Sequence, residues 1–317
     1  MKYGQIEGVD KPVSKLFLGT ATSPADIDSG EWLSSVVATG VNALDTARVY
    51  PDSEKKIGKW LLDFGRREEI VILSKCCHPV GPLRRVRPGV IKREIEKSLS
   101  MLCTNYIDIY LVHRDDPGVN AGDIVEAFNE LKSAGKIRAF GVSNWTHRRI
   151  EEANEYAYKN SLIPFCISSP AFSLAEQTGV FGDKTCITIS GSDKGDAREW
   201  YRESQFPILA YAPLGHGLLS GRLRWQEVQN IGRYLDKYAV RGFASEDNYE
   251  RLHRCEIIAN RKHLTVPQVA LAWLFSQKMN LFAVVNTSNP LRMMENAEAL
   301  DVVLSDDECQ YLDLQKD

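Results

Sequence analysis

The sequence predicts an α/β protein built as one (β/α)8 TIM barrel, with long loops at the C-terminal face of its strands. Three observations predict it. Short apolar runs alternate with segments of helical period along the chain, as repeated strand–helix units on a parallel sheet require. Eight such runs can be counted. No compositional break divides the chain, so residues 1–317 are expected to form a single domain. A GxGxxG turn does not follow an early strand, which argues against a doubly wound dinucleotide fold.

In chain order the strand candidates are "KLFLGT", "NALDT", "EIVILSK", "YIDIYLVH", "IRAFGVSN", "PFCISS", "PILAYAP" and "LFAVVNT". After the second, a turn through Pro51 leads to a helix expected to start near Ser53 as its N-cap. In "RPGVIKREIEKSLSMLC", Ile91, Ile95, Leu99 and Leu102 recur at helical steps. In "GDIVEAFNELKSAGK", Ile124, Phe128 and Leu131 share a face, and Gly135 is the expected stop. Two stretches exceed simple repetition. One, residues 176–196, carries an extra strand-like run from Cys186 to Ile189. The other runs from Gly215 to Val266. Both are expected to be loop elaborations on the functional face.

Composition excludes several classes. The formal net charge is -3 and no basic block stands out, so no nucleic-acid partner is expected. The densest cationic run, "GPLRRVRPGVIKR", reads as a solvated loop and helix start. There is no signal-peptide pattern and no apolar run long enough for a membrane span. The seven cysteines lack metal-site spacing, so no metal is expected and reduced thiols in the cytoplasm are the plain reading.

Four chemically compatible groups fall at consecutive strand ends. The second strand leads to Asp45 and then Tyr50, the third ends at Lys75 and the fourth at His113. A parallel barrel brings these ends to one rim. A phenol near its ordinary pKa is a reluctant acid, and a neighbouring ammonium lowers that pKa. Lys75 is placed to act so on Tyr50, with Asp45 as its counter-charge and a neutral His113 orienting a substrate oxygen. The set suits delivery of a proton to a carbonyl oxygen during reduction. No side chain carries a hydride, so a nicotinamide cofactor is implied.

The pieces "GVNALDTARVYPDSEKKIGKWL", "ILSK", "YIDIYLVHRDDP", "GKIRAFGVSNW", "ILAYAPLGHGLLSG" and "RMMENAEAL" follow one another as in the aldo-keto reductases, which the chain resembles over nearly its whole length. The altered sixth strand and the opening segment resemble a bacterial branch. The resemblance implies NADP, with NAD possible, and a catalytic tetrad of Asp45, Tyr50, Lys75 and His113. It implies that Ser143 and Asn144 hold the nicotinamide carboxamide, with Ser168 standing where a glutamine is usual. It places Tyr211 against the nicotinamide face, and Pro213, Leu214, Gly217 and Leu219 at the pyrophosphate. Thr287, Ser288 and Arg292 would meet the 2'-phosphate, and Glu295 and Asn296 the adenine. Asn286 stands where a lysine is often found, which removes one cation. Pro51 replaces the glycine usual after the tyrosine.

Thr22, Arg114 and Trp145 are the expected substrate-pocket residues. Polar groups such as Arg114 and Asp115 point to a hydroxylated small-molecule carbonyl, a sugar or sugar-derived ketone. A monomer or small homo-oligomer is expected. Two other readings remain open at this point: a nicotinamide-binding regulatory barrel with little turnover, and a Schiff-base aldolase using Lys75.

Overall fold

The structure, a computed structural model, describes residues 1–22, 28–179 and 184–316. Part of the elaboration after the sixth predicted strand, residues 180–183, lies outside the described residues. A short antiparallel hairpin, β1 (Tyr3–Gly4) and β2 (Val13–Ser14), opens the chain. All eight predicted strands follow: β3 (Leu16–Gly19), β4 (Ala43–Asp45), β5 (Val71–Cys76), β6 (Ile107–Val112), β7 (Ile137–Ser143), β8 (Ser168–Ser169), β9 (Ile208–Ala210) and β10 (Leu281–Val285). They close into a barrel in the order β10-β3-β4-β5-β6-β7-β8-β9. The helices are α1 (Ser29–Val37), α2 (Ser53–Phe64), α3 (Pro88–Met101), α4 (Ala121–Ser133), α5 (His147–Lys159), α6 (Gly195–Ser204), α7 (Lys237–Phe243), α8 (Glu246–Lys262), α9 (Val266–Phe275), α10 (Pro290–Glu298) and α11 (Asp306–Leu312).

Two compact units make up the chain. The first comprises Met1–Ser169 and Val284–Pro290, the second Pro170–Ala283 and Leu291–Asp317. In the first, register fixes which side chains share a face. Asp45 aligns with Leu73, and Leu73 with Ile109. Lys75 aligns with Leu111, and Leu111 with Gly141. Ser143 aligns with Ser169. Alternation along each strand puts all of these on one face. The opposite face carries Ser74, Tyr110, Phe140 and Val142, and it meets the helices. Tyr110 and Phe140 pack on Phe128 of α4 with centroids 5.9 and 5.4 Å apart, and Ser74 Oγ donates to Glu54 of α2 at 2.7 Å. The first face therefore lines the barrel interior.

The predicted helical faces are buried as expected. Ile124, Val125, Phe128 and Leu131 of α4 are all buried, each contributing about 1.5–3 kcal/mol. Gly135, at φ 72°, ends the helix, and the next amide, Lys136 N, donates to Leu131 O at 3.0 Å. Ile91, Ile95, Leu99 and Leu102 bury the inner stripe of α3.

Three expectations change. Ser53 is the first residue of α2 rather than its N-cap, which is Asp52 at φ 53°. The Ser53 hydroxyl is drawn inward instead, 2.6 Å from Thr20 Oγ1 and 2.7 Å from Thr46 Oγ1. Among the described residues the run Cys186–Ile189 forms no strand; only Thr188 bridges, to Ala171, which also bridges Tyr211. Gly215 to Val266 is more than a loop, because α7 and the 17-residue α8 lie within it.

Candidate active site

The first unit gathers the four predicted groups. Asp45 is the last residue of β4, and Lys75 lies near the end of β5 on the same interior face. Lys75 Nζ donates to Asp45 Oδ1 at 2.5 Å and to Thr46 O at 3.1 Å. The same ammonium stands 5.3 Å from the centroid of the Tyr50 ring. Tyr50 reaches this place through the turn after β4, where its amide donates to Ala47 O at 3.0 Å and Arg48 N donates to Lys75 O at 2.9 Å. His113 follows β6, with its ring edge-on to Tyr50 at 5.9 Å between centroids.

Burial and charge set the protonation states. Burial pushes the Tyr50 phenol above its ordinary value, and the opposing pull of Lys75 does not overcome it. The lowering expected from the sequence is therefore outweighed, because the phenol loses solvent as it gains the ammonium. Burial alone pulls Lys75 down, but Asp45 and Tyr50 together raise it, so it stays an ammonium. Burial raises Asp45, against the pull of Lys75. Burial first, then the charges of Lys75 and Arg114, hold His113 well below the usual imidazole value, so it is neutral at neutral pH.

Around this centre the loop ends are tied to backbone. Asn144 adopts the left-handed conformation at φ 61°, which an asparagine tolerates better than most residues. Its Nδ2 donates to His113 O at 3.1 Å and to Ser143 Oγ at 2.9 Å. Ser143 Oγ donates in turn to Ser169 O at 2.9 Å. Register corrects one choice here. Ser168 aligns with Val142 and so faces the helix layer, while Ser169 aligns with Ser143 on the interior face. Ser169 Oγ is buried and has no hydrogen-bond partner among the described residues. Ser169, not Ser168, is the hydroxyl presented beside Ser143.

The expected pocket residues separate. Trp145 is 1% exposed and packs edge-on against Phe165 at 5.7 Å, with Nε1 donating to Arg114 O at 3.3 Å. That burial moves it from the pocket wall into the core. Arg114 Nη1 donates to His113 O at 2.9 Å, and Asp115 lies 3.6 Å from Arg149 Nε. Thr22 meets Asn286, whose Nδ2 donates to Thr22 Oγ1 at 2.8 Å. His78 was missed by the sequence reading. Its ring lies 4.8 Å from that of His113, edge-on. The signal was an imidazole three residues beyond Lys75.

In the tail of this unit, Thr287 O accepts from Trp32 Nε1 at 2.9 Å, and Thr287 Oγ1 accepts from Asn289 N at 3.1 Å, while Ser288 is exposed. The second unit holds the remaining predicted residues. Tyr211 N donates to Pro170 O at 3.1 Å and starts a turn in which Ala212, Gly215, His216 and Gly217 all have positive φ. Pro213 and Leu219 are buried and Leu214 is half-buried. A Cβ added to Gly217 would meet Arg222 Nη2 at 3.1 Å, so the missing side chain leaves backbone open beside a guanidinium. On α10, Arg292 and Glu295 are exposed and Asn296 is buried. Among the described residues no cluster of His, Cys, Asp or Glu is placed to hold a metal ion, and no helix is long and apolar enough to cross a membrane.

Comparison with known proteins gives a consistent picture. The sequence model of the Aldo/keto reductase family matches residues 15–315. The chain is 28% identical to aldo-keto reductase str7 of Strobilurus tenacellus over 292 residues, covering 87% of this chain and 77% of that one. It is 29% identical over 263 residues to aldo-keto reductase yakc [NADP(+)] of Schizosaccharomyces pombe, covering 80% and 72%. A thermostable aldo-keto reductase, solved with the inhibitor epalrestat, superposes with a TM-score of 0.73 at 25% identity and full coverage of both chains. The chain belongs to the aldo/keto reductase family and is an NAD(P)H-dependent oxidoreductase that reduces carbonyl groups.

Proposed function

We propose that Tyr50 is the proton donor in reduction of an aldehyde or ketone to its alcohol. The observation that carries this is the position of Lys75 Nζ, 2.5 Å from Asp45 and over the Tyr50 ring. Tyr50 holds its proton at neutral pH and gives it to the carbonyl oxygen as negative charge develops there. Lys75 stabilises the phenolate left behind, and Asp45 keeps Lys75 charged inside the barrel. Neutral His113 orients the carbonyl oxygen. A bound nicotinamide supplies the hydride. In the first unit Ser143, Asn144 and Ser169 would hold its carboxamide, and the buried, unpartnered Ser169 hydroxyl fits such a polar group. In the second unit, taken by itself, the Tyr211 ring is suited to an aromatic partner and the Gly215–Gly217 turn with Arg222 to a phosphate group.

NADP is the preferred cofactor on this reading. Arg292 and Ser288 are exposed and suited to a phosphate, and the yakc relative carries NADP(+) in its name. An aldolase role for Lys75 is disfavoured, because a Schiff-base lysine must be a neutral amine and this one is held protonated. The whole chain would act as one catalytic barrel in the cytoplasm, as a monomer or small homo-oligomer, with its seven cysteines reduced. The test is a titration of NADPH and NADH by nicotinamide fluorescence, followed by turnover with generic aldehydes. Tighter NADPH binding and steady aldehyde reduction are expected; binding without turnover would contradict the reading.

A further inference from the structure

The run "GPLRRVRPGVIKR" was expected to be solvated, but Arg85 turns inward. Its Nη2 donates to Glu94 Oε1 at 2.5 Å and its Nη1 to His78 O at 3.3 Å. Glu94 is 4% exposed, and its other oxygen accepts from Cys77 N at 2.8 Å. Arg48 is held in the same way. It pairs with Glu54, 2% exposed, whose second oxygen accepts from Ser74 Oγ. Each buried carboxylate thus has both oxygens engaged and acts as an anchor for one guanidinium. A guanidinium has five N–H donors, so anchoring aims the fork without exhausting it.

These two arginines, with Val49, His78, Val80 and Glu94, line a cavity of about 240 Å³. Three of these residues connect it to the tetrad: His78 through its ring contact with His113, Arg48 through its amide hydrogen bond to Lys75 O, and Val49 as the chain neighbour of Tyr50. Two of the lining residues are apolar and exposed. Val49 is 43% exposed and Val80 is 61% exposed. Val80 is fixed by exchanging backbone hydrogen bonds with Leu83, both 3.1 Å. Single exposed apolar side chains are ordinary, but two lining a cavity beside a reaction centre need a reason.

We propose that this cavity is a distal substrate subsite for a carboxylate, joined to the reacting carbonyl by an apolar spacer. The proposal rests on the tetrad being the reducing centre. Arg48 and Arg85 present donor forks matched to a planar carboxylate, and Val49 and Val80 cover the spacer. The substrate class therefore moves from a hydroxylated carbonyl to an aldehyde or keto acid. Arg114 and Asp115, which pointed to hydroxyls in the sequence, are engaged with His113 O and with Arg149.

The experiment compares 4-carboxybenzaldehyde with its methyl ester as substrates of the full-length enzyme, with NADPH and NADH. The ester is the more electron-poor aldehyde, so intrinsic reactivity runs against the acid. The acid is expected to show a kcat/KM about tenfold or more above the ester, carried by KM, as charge-assisted hydrogen bonds allow. In Arg85→Met and Arg48→Met this ratio falls toward one, and Arg85→Lys retains part of it. Equal use of acid and ester by the wild type overturns the subsite, as does a ratio unchanged in both Met variants. Turnover of neither aldehyde with either cofactor overturns the reductase reading beneath it.

Discussion

At Tyr50, burial and charge act in opposite directions, and burial is the stronger. The phenol is raised above its ordinary value near 10. Reduction governed by a protonated Tyr50 should therefore persist through neutral pH and fall only as pH rises through that elevated value. His113 has the reverse linkage. Its folded pKa is depressed, so its neutral form contributes stability above about pH 6.5 that is lost as pH falls through the lowered folded value. Thermal melts from pH 8 to 5 should show His113→Asn declining less steeply than wild type; parallel declines would contradict this. Ser169→Ala should weaken nicotinamide binding about fivefold, the size of one lost hydrogen bond, with Ser168→Ala within about twofold. Titration of the cofactor's fluorescence checks both. The sequence could not choose between Ser168 and Ser169, because adjacent serines differ only by register and a one-residue slip reverses the face. The common placement of Asp45, Lys75 and His113 at one barrel end was legible because each lies at the end of a strong apolar run, and Tyr50 follows Asp45 by one short turn.

Among the elements, α2 shows how a glycine fixes a contact. A Cβ on Gly58 would stand 2.1 Å from Met101 O at the end of α3. Backbone cannot yield as a flexible side chain does. Gly58→Ala should cost about 2 kcal/mol in urea unfolding, although alanine favours a helix by about 1 kcal/mol. A neutral or stabilising change would contradict the close approach. The helix α8 within residues 215–266 carries plain start and stop signals in the sequence. Ser245 accepts from Asn248 N as N-cap of α8, Glu246 and Asp247 follow in the first turn, and Arg261 and Lys262 close the last. By contrast, the apolar alternation at Cys186–Ile189 looks like a strand in the sequence. Among the described residues it finds only Ala171 as a bridging partner, so the run stays irregular.

At the scale of the barrel, the proposed tetrad and a buried ion network occupy different strand ends. The tetrad gathers at the C-terminal ends of β4, β5 and β6, where barrel enzymes carry function. At the other end of β6, Asp108 is fully buried and accepts from Arg67 Nη2 at 2.8 Å and Ile72 N at 2.9 Å, with Lys11 Nζ at 2.9 Å. Asp108→Ala leaves these donors facing one another and should cost about 3 kcal/mol, without altering the KM of any folded fraction. Chemical unfolding paired with steady-state kinetics checks that separation. The barrel itself was legible because eight apolar runs at strand–helix spacing allow few other closures. The opening hairpin was not, because two-residue strands carry no period. The central claim concerns Tyr50, and Tyr50→Phe tests it most directly by removing one oxygen. The account predicts that aldehyde reduction falls on the order of 10²–10⁴-fold while NADPH affinity stays within about twofold. Near-wild-type turnover in that variant would contradict it.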